Sequence, residues 1–257
     1  MYGENLKEEE QMTDMSMYLA EFFGTMILVL LGDGVVANVV LNKTKGKDSG
    51  WIVITTGWGL AVAMGVYVTG WVSGAHINPA VTIGQAAVGN FSWALVPGYL
   101  IFQVLGGFTG AVLVYLSYKE HFDASVKADK EFSALGIFAT VPGIRNITWN
   151  FITEAIGTAM LLIGILGILN GNNNAGALGA LLVGFLVWSI GLSLGGPTGY
   201  AINPARDLGP RIAHALLPIH DKKGSNWAYG LIVPIFGPIV GGVIGATVYQ
   251  LFLSTVM

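Results

Sequence analysis

The sequence predicts an all-α membrane protein: six transmembrane helices plus two re-entrant half-helices in an inverted repeat. Three observations carry this. Of 257 residues, 53% are hydrophobic and 11% charged, against about 25% charged in an average soluble domain. The charges cluster at 1–14, 42–48, 119–131, 145 and 206–223, between apolar runs, as in loops joining membrane spans. Finally, "AHINPAV" at 75–81 nearly returns as "AINPARD" at 201–207. Each copy sets a polar Asn and a helix-disrupting Pro inside an apolar stretch.

The acidic start, Met1 to Ser16, has neither the basic n-region nor the cleavage site of a signal peptide and reads as a cytoplasmic tail ahead of a membrane domain at 17–257. A helix crossing about 30 Å of hydrocarbon needs about 20 apolar residues. Six segments qualify, near 17–41, 51–71, 95–118, 149–169, 177–196 and 227–253. The connection 119–148 mixes charges with Gly and Pro and reads as a structured surface loop. Segments 72–90 and 197–217 are apolar but too short and too interrupted to span.

Those two segments occupy matching places in two halves, about 17–118 and 149–253. "AEFFGT" at 20–25 corresponds to "TEAIGT" at 153–158, "AHINPA" at 75–80 to "YAINPA" at 200–205, and "QVLGGFTG" at 103–110 loosely to "IFGPIVGG" at 235–242. Each half holds three spans, so the second enters the membrane from the opposite side and the interrupted segments dip in from opposite faces. Irregular backbone at membrane depth is tolerated where it is buried in protein or lines a water-filled cavity. A central aqueous path follows.

Several chemistries are excluded or disfavoured. A net charge of −3 calls for no nucleic-acid partner, and there is no cysteine for thiol chemistry. The 37 glycines fall largely at small-xxx-small spacing, such as Gly106 with Gly110 and Gly237 with Gly241, which suits close helix packing in lipid. No run resembles a phosphate-binding loop, so no cofactor is expected. His76 has no second His or Cys at ligand spacing, which argues against a metal. No nucleophile, base and orienting partner recur together, so an enzyme is not expected.

Asn is a strong N-cap, and Pro is favoured at the first helical position. Asn78-Pro79-Ala80 and Asn203-Pro204-Ala205 therefore read as the starts of two short helices meeting head to head, each bringing about half a positive charge. Such ends oppose cations and protons, while the Asn amides suit a neutral hydroxyl oxygen.

"SGAHINPAV" at 73–81 and "GYAINPARD" at 199–207 resemble the two signature loops of the aquaporin superfamily, and the resemblance covers about 17–253. It implies six helices and two half-helices, one pore per subunit, a homotetramer in the plasma membrane and cytoplasmic termini. Asp207, Arg211 and the Pro234-Ile235 pair resemble the glycerol facilitators rather than the strict water channels. So does Trp58, twenty residues before Asn78. That branch implies passive passage of glycerol, water and other small uncharged solutes. Its filter corresponds to Trp58 and Tyr200 as an apolar wall facing the donor Arg206. The branch commonly has Phe where this chain has Tyr200.

Glu21 and Glu154 occupy equivalent repeat positions; a transporter would use them as a proton relay, whereas the resemblance makes each an acceptor bracing a half-helix loop. His76 is expected to line the pore or brace its loop. Asp33 in "LLGDGVV" departs from the family pattern and reads as a residue snorkelling to the outer end, the alternative being a site in the pore vestibule. Asp207 and Arg211 form an i, i+4 pair, one turn apart on the second half-helix, that adds about 0.3–0.5 kcal/mol.

Inverted repeats and broken helices also suit an ion-coupled transporter, or a junction-forming protein with a closed pore. One signal runs against the family topology. It leaves only Lys7 of the 12 Lys and Arg on the inner side, whereas the positive-inside rule prefers the reverse.

Overall fold

The computed structural model describes residues 12–220 and 222–256; positions 1–11 of the expected tail lie outside the described residues. Helix α1 (Asp14–Val40) begins inside that tail, because the Thr13 side chain accepts from the Ser16 N–H and Asp14 occupies the first turn. An oxygen and a negative charge there meet the unpaired N–H groups of a helix start. There follow α2 (Trp51–Ser73), α3 (Pro79–Ala87), α4 (Val96–Ala128), α5 (Leu135–Phe138), α6 (Ile147–Ile168), α7 (Gly179–Leu194), α8 (Pro204–Leu216), α9 (Trp227–Gly230) and α10 (Val233–Val256). Among the described residues no strand occurs.

Among the described residues six helical stretches are long and apolar enough to cross a membrane, and the half-helices α3 and α8 lie between them, as does the four-residue α5. The largest boundary difference is α4, which continues ten residues past the expected end at 118. Its extension, "KEHFDASVKA", carries a Lys119–Asp123 ion pair one turn apart. Apolarity marks the part of a helix that lies in lipid, whereas helix propensity and i, i+4 pairs carry it further.

The halves pack alike. Helix α1 lies against α4 and α2, α6 lies against α10 and α7, and α2 meets α7 to join them. The half-helices are exchanged: α3 packs on α10 of the other half, α8 on α4. Glycines permit both contacts. A Cβ on Gly107 of α4 would lie 2.7 Å from the Ala205 carbonyl oxygen, and one on Gly242 of α10 equally 2.7 Å from that of Ala80. Gly106 and Gly110 likewise face the Phe22 and Met26 carbonyls, as Gly241 and Gly245 face those of Ala155 and Ala159. Gly106, Gly107 and Gly110 thus correspond to Gly241, Gly242 and Gly245. The sequence pairing of 103–110 with 235–242 is three residues out of register, because it matched letters rather than the carbonyls the glycines must admit.

Large apolar side chains such as Leu19, Phe23, Leu60, Phe236 and Leu251 point outward, while Glu21, Gln103, Glu154, Asp207, Arg211 and His214 are fully or almost fully buried. An apolar exterior around a polar interior suits lipid as the solvent.

Candidate functional site

Asn78 and Asn203 cap α3 and α8, with Pro79 and Pro204 in the first turn. The Asn78 side-chain oxygen accepts the Ala80 N–H at 2.9 Å; that of Asn203 accepts those of Ala205 and Arg206 at 3.0 and 3.2 Å. Their amide nitrogens cross over. Asn78 Nδ2 donates to the Ile202 carbonyl and Asn203 Nδ2 to the Ile77 carbonyl, both at 2.8 Å. The half-helices are tied N-terminus to N-terminus, and each amide keeps one further N–H. The sequence left both hydrogens of each amide for a passing solute; one is committed to the opposite loop.

The loops before the caps are strained. Ala75 and Ile77 have φ of +46° and +42°, and their counterparts Tyr200 and Ile202 have +38° and +42°. For Tyr200 and the β-branched Ile77 and Ile202 these are outliers costing about 1–3 kcal/mol each, held only where surroundings over-determine them. Two acids supply that hold. Glu21 accepts the N–H groups of His76 at 2.9 Å and Ile77 at 2.6 Å, the Ser73 hydroxyl at 2.7 Å and Gln103 Nε2 at 2.7 Å. Glu154 accepts those of Ala201 at 3.0 Å and Ile202 at 2.8 Å. His76 Nδ1 lies 3.1 Å from the Thr82 hydroxyl and its ring packs on Phe91 and Tyr99, so it both lines the cavity and ties into its loop.

In a planar trans peptide, N–H and C=O point oppositely. With the N–H groups of His76, Ile77, Ala201 and Ile202 drawn toward the glutamates, the carbonyls of Ala75, His76, Tyr200 and Ala201 face the other way. Residues 75–78 and 200–203 line a central cavity of about 60 Å³, whose remaining lining includes Leu28, Val62, Leu161, Val183 and Val187. One side offers acceptor oxygens, the other hydrocarbon. No sequence motif named those carbonyls; the signal was the paired Glu21 and Glu154.

This cavity shares Trp58, Tyr200 and Arg206 with a wider one of about 230 Å³, and Val66, Ala75, His76, Val81, Ile165 and Val183 with one of about 460 Å³ at the other end. The three lie in series. At the first junction the Arg206 guanidinium carbon sits 4.1 Å over the Trp58 ring. The sequence placed Arg206 across an opening from both aromatics. Contact at that distance admits no atom between guanidinium and indole, so the opening lies beside the stacked pair. Tyr200 is buried, its ring edge-on to Trp51 at 5.7 Å and its hydroxyl without a hydrogen-bond partner.

Asp207 and Arg211 are also brought together, but in the interior. Arg211 Nε donates to Asp207 Oδ1 at 2.7 Å, with both side chains fully buried. Its Nη1 donates to the Ser225 carbonyl at 2.7 Å and its Nη2 to the Thr140 carbonyl at 3.0 Å, while Thr140 returns its N–H and hydroxyl to Asp207 at 2.8 and 2.6 Å. The small i, i+4 increment, which belongs to exposed pairs, therefore does not apply. Sequence reasoning missed Thr140, 71 residues away in the chain, and Ser225, in the connection that follows α8. Pro234 is buried and Ile235 half-buried at the start of α10, away from the cavities. Asp33 does not snorkel; it is wholly buried.

The sequence model for the major intrinsic proteins matches residues 8–249. The chain belongs to that family. Within it, the chain is 63% identical to a probable glycerol uptake facilitator protein of Thermotoga maritima over 236 residues, covering 92% of this chain and 99% of that one. It is 50% identical to the glycerol uptake facilitator protein of Bacillus subtilis, covering 92% and 84%. The crystal structure of the aquaglyceroporin from Plasmodium falciparum superposes with a TM-score of 0.83 at 31% identity, covering 95% of this chain and 98% of that one. Family membership and the six apolar helices make this a multi-pass membrane protein of the aquaporin fold.

Proposed function

We propose that the chain is a passive channel for glycerol, water and other small uncharged solutes that excludes protons and ions. The supporting observation is the row of three cavities sharing lining residues, with carbonyl oxygens along one side of the central one and hydrocarbon along the other. Glycerol has hydroxyls on one edge and carbons on the other, so each finds a partner in single file. Arg206 and the two helix starts at Asn78 and Asn203 oppose cations, and the Asn78–Asn203 cross-ties orient the remaining amide donors. In this reading Trp58, Tyr200 and Arg206 form the filter, while Glu21, Glu154 and His76 brace the loops. The chain works as a homotetramer in the plasma membrane with both termini in the cytoplasm, and it performs no catalysis.

The test is swelling of proteoliposomes carrying purified protein in water, glycerol and larger polyols. Downhill, uncoupled flux that falls with polyol size is expected. Saturable uptake dependent on an ion gradient would return the transporter reading, and null flux from an assembled oligomer the closed-pore one. With no cysteine in the chain, low mercury concentrations should leave flux unchanged; rapid inhibition reversed by thiols contradicts this.

Tyr200 sets solute preference in this reading. Its hydroxyl makes no hydrogen bond to another protein group, so Tyr200→Phe should leave stability nearly level. It should raise the glycerol-to-water flux ratio a few-fold, the scale of one hydroxyl contact at about 0.5–1.5 kcal/mol. Stopped-flow measurement of both fluxes in one vesicle preparation checks this, and an unchanged or lower ratio removes Tyr200 from the filter.

A further inference from the structure

Four acids are fully or almost fully buried among the described residues, and three have evident work. Glu21 and Glu154 hold the loops, and Asp207 is closed on Arg211 and Thr140. Asp33 is the fourth. Its exposure is 0%, and neither carboxylate oxygen has a hydrogen-bond partner. A buried carboxylate with no compensating interaction is among the costliest groups a fold can hold.

Its place on α1 shows what it faces. Leu28 lines the central cavity and Val36 the wider cavity beyond the junction, so Asp33 lies at the depth of the junction itself. The preceding residue, Gly32, abuts the Trp58 ring, where a Cβ would come within 2.3 Å of Cζ3. That ring carries the Arg206 guanidinium on its face. Asp33 lies within electrostatic reach of Arg206 and Asp207. Arg211 cannot serve it, since all three of its nitrogens are already engaged. Arg206 can: its Nη1 is buried and has no partner.

We infer that Asp33 is the counter-charge of Arg206, holding the guanidinium through intervening water and offsetting part of its charge, and is thereby a positioning residue that sets the selectivity of the filter. An acid acting at longer range than a direct ion pair leaves the guanidinium N–H groups available to solute. It also keeps the junction from becoming an anion trap, since an Arg with no counter-charge beside two positive helix ends would attract small anions.

The inference rests on the channel reading, and the parent protein's own glycerol flux tests that separately. Asp33→Asn and Asp33→Val, each alone and combined with Arg206→Val, are to be compared in proteoliposomes for glycerol, water and formate permeability and for thermal unfolding in detergent. No protein donor contacts Asp33 directly, so both single variants should still fold. Each should change the glycerol-to-water ratio by about tenfold, as expected for loss of a charge-assisted interaction, and should raise formate leak. In the Arg206→Val background neither should alter the ratio further, because the partner is gone. The assignment is overturned if either single variant keeps the parental ratio and leak, or if its effect persists undiminished without Arg206. It is equally overturned if both single variants fail to fold, which would make Asp33 a structural residue.

Discussion

Asp207→Ser is expected to lower stability by about 3–5 kcal/mol, enough to remove most folded protein from the membrane. Breaking a buried ion pair leaves the surviving charge uncompensated, and that desolvation cost sets the scale. Here the survivor is Arg211, fully buried and joined to Thr140 in the connection before α6 and to Ser225 in the connection after α8. The loss spreads beyond one helix: Thr140 loses the acceptor for both its N–H and its hydroxyl. Detergent-solubilised yield and Tm check this. A variant that folds like the parent and differs only in solute preference would mean that water restores the network.

Arg206→Val should admit protons and small cations while glycerol still passes. At an effective dielectric of about 20 and a separation of about 5 Å, one unit charge contributes about 3 kcal/mol to the barrier, or roughly a hundredfold in rate. The helix ends at Asn78 and Asn203 stay in place and retain part of the barrier. The substitution also removes the cation from the Trp58 ring, so glycerol flux should persist through a wider junction. A pH-sensitive dye trapped in proteoliposomes reads the leak, and vesicles as proton-tight as the parent would refute the electrostatic account of this junction.

The spans, the two half-helices and the inverted repeat were all legible from residue types. Apolar run length reports membrane thickness, Asn followed by Pro favours a helix start, and a repeated frame exposes the symmetry. The pairing of Glu21 with Glu154 was legible for the same reason. By itself the sequence determined that this chain is a six-span membrane protein with two opposed half-helices and a polar path between them. Only the tertiary structure decided what depends on atoms distant in the chain. It brought Thr140 and Ser225 onto Arg211, joining an i, i+4 pair of the second half-helix to a buried network. It laid Arg206 on Trp58 instead of across from it, shifted the glycine register of α10 by three residues, and buried Asp33 at the junction. The reason is common to all of these. Periodicity and capping are local, so the chain carries them wherever it goes, whereas the worth of a charge depends on which dielectric and which partners the fold sets around it.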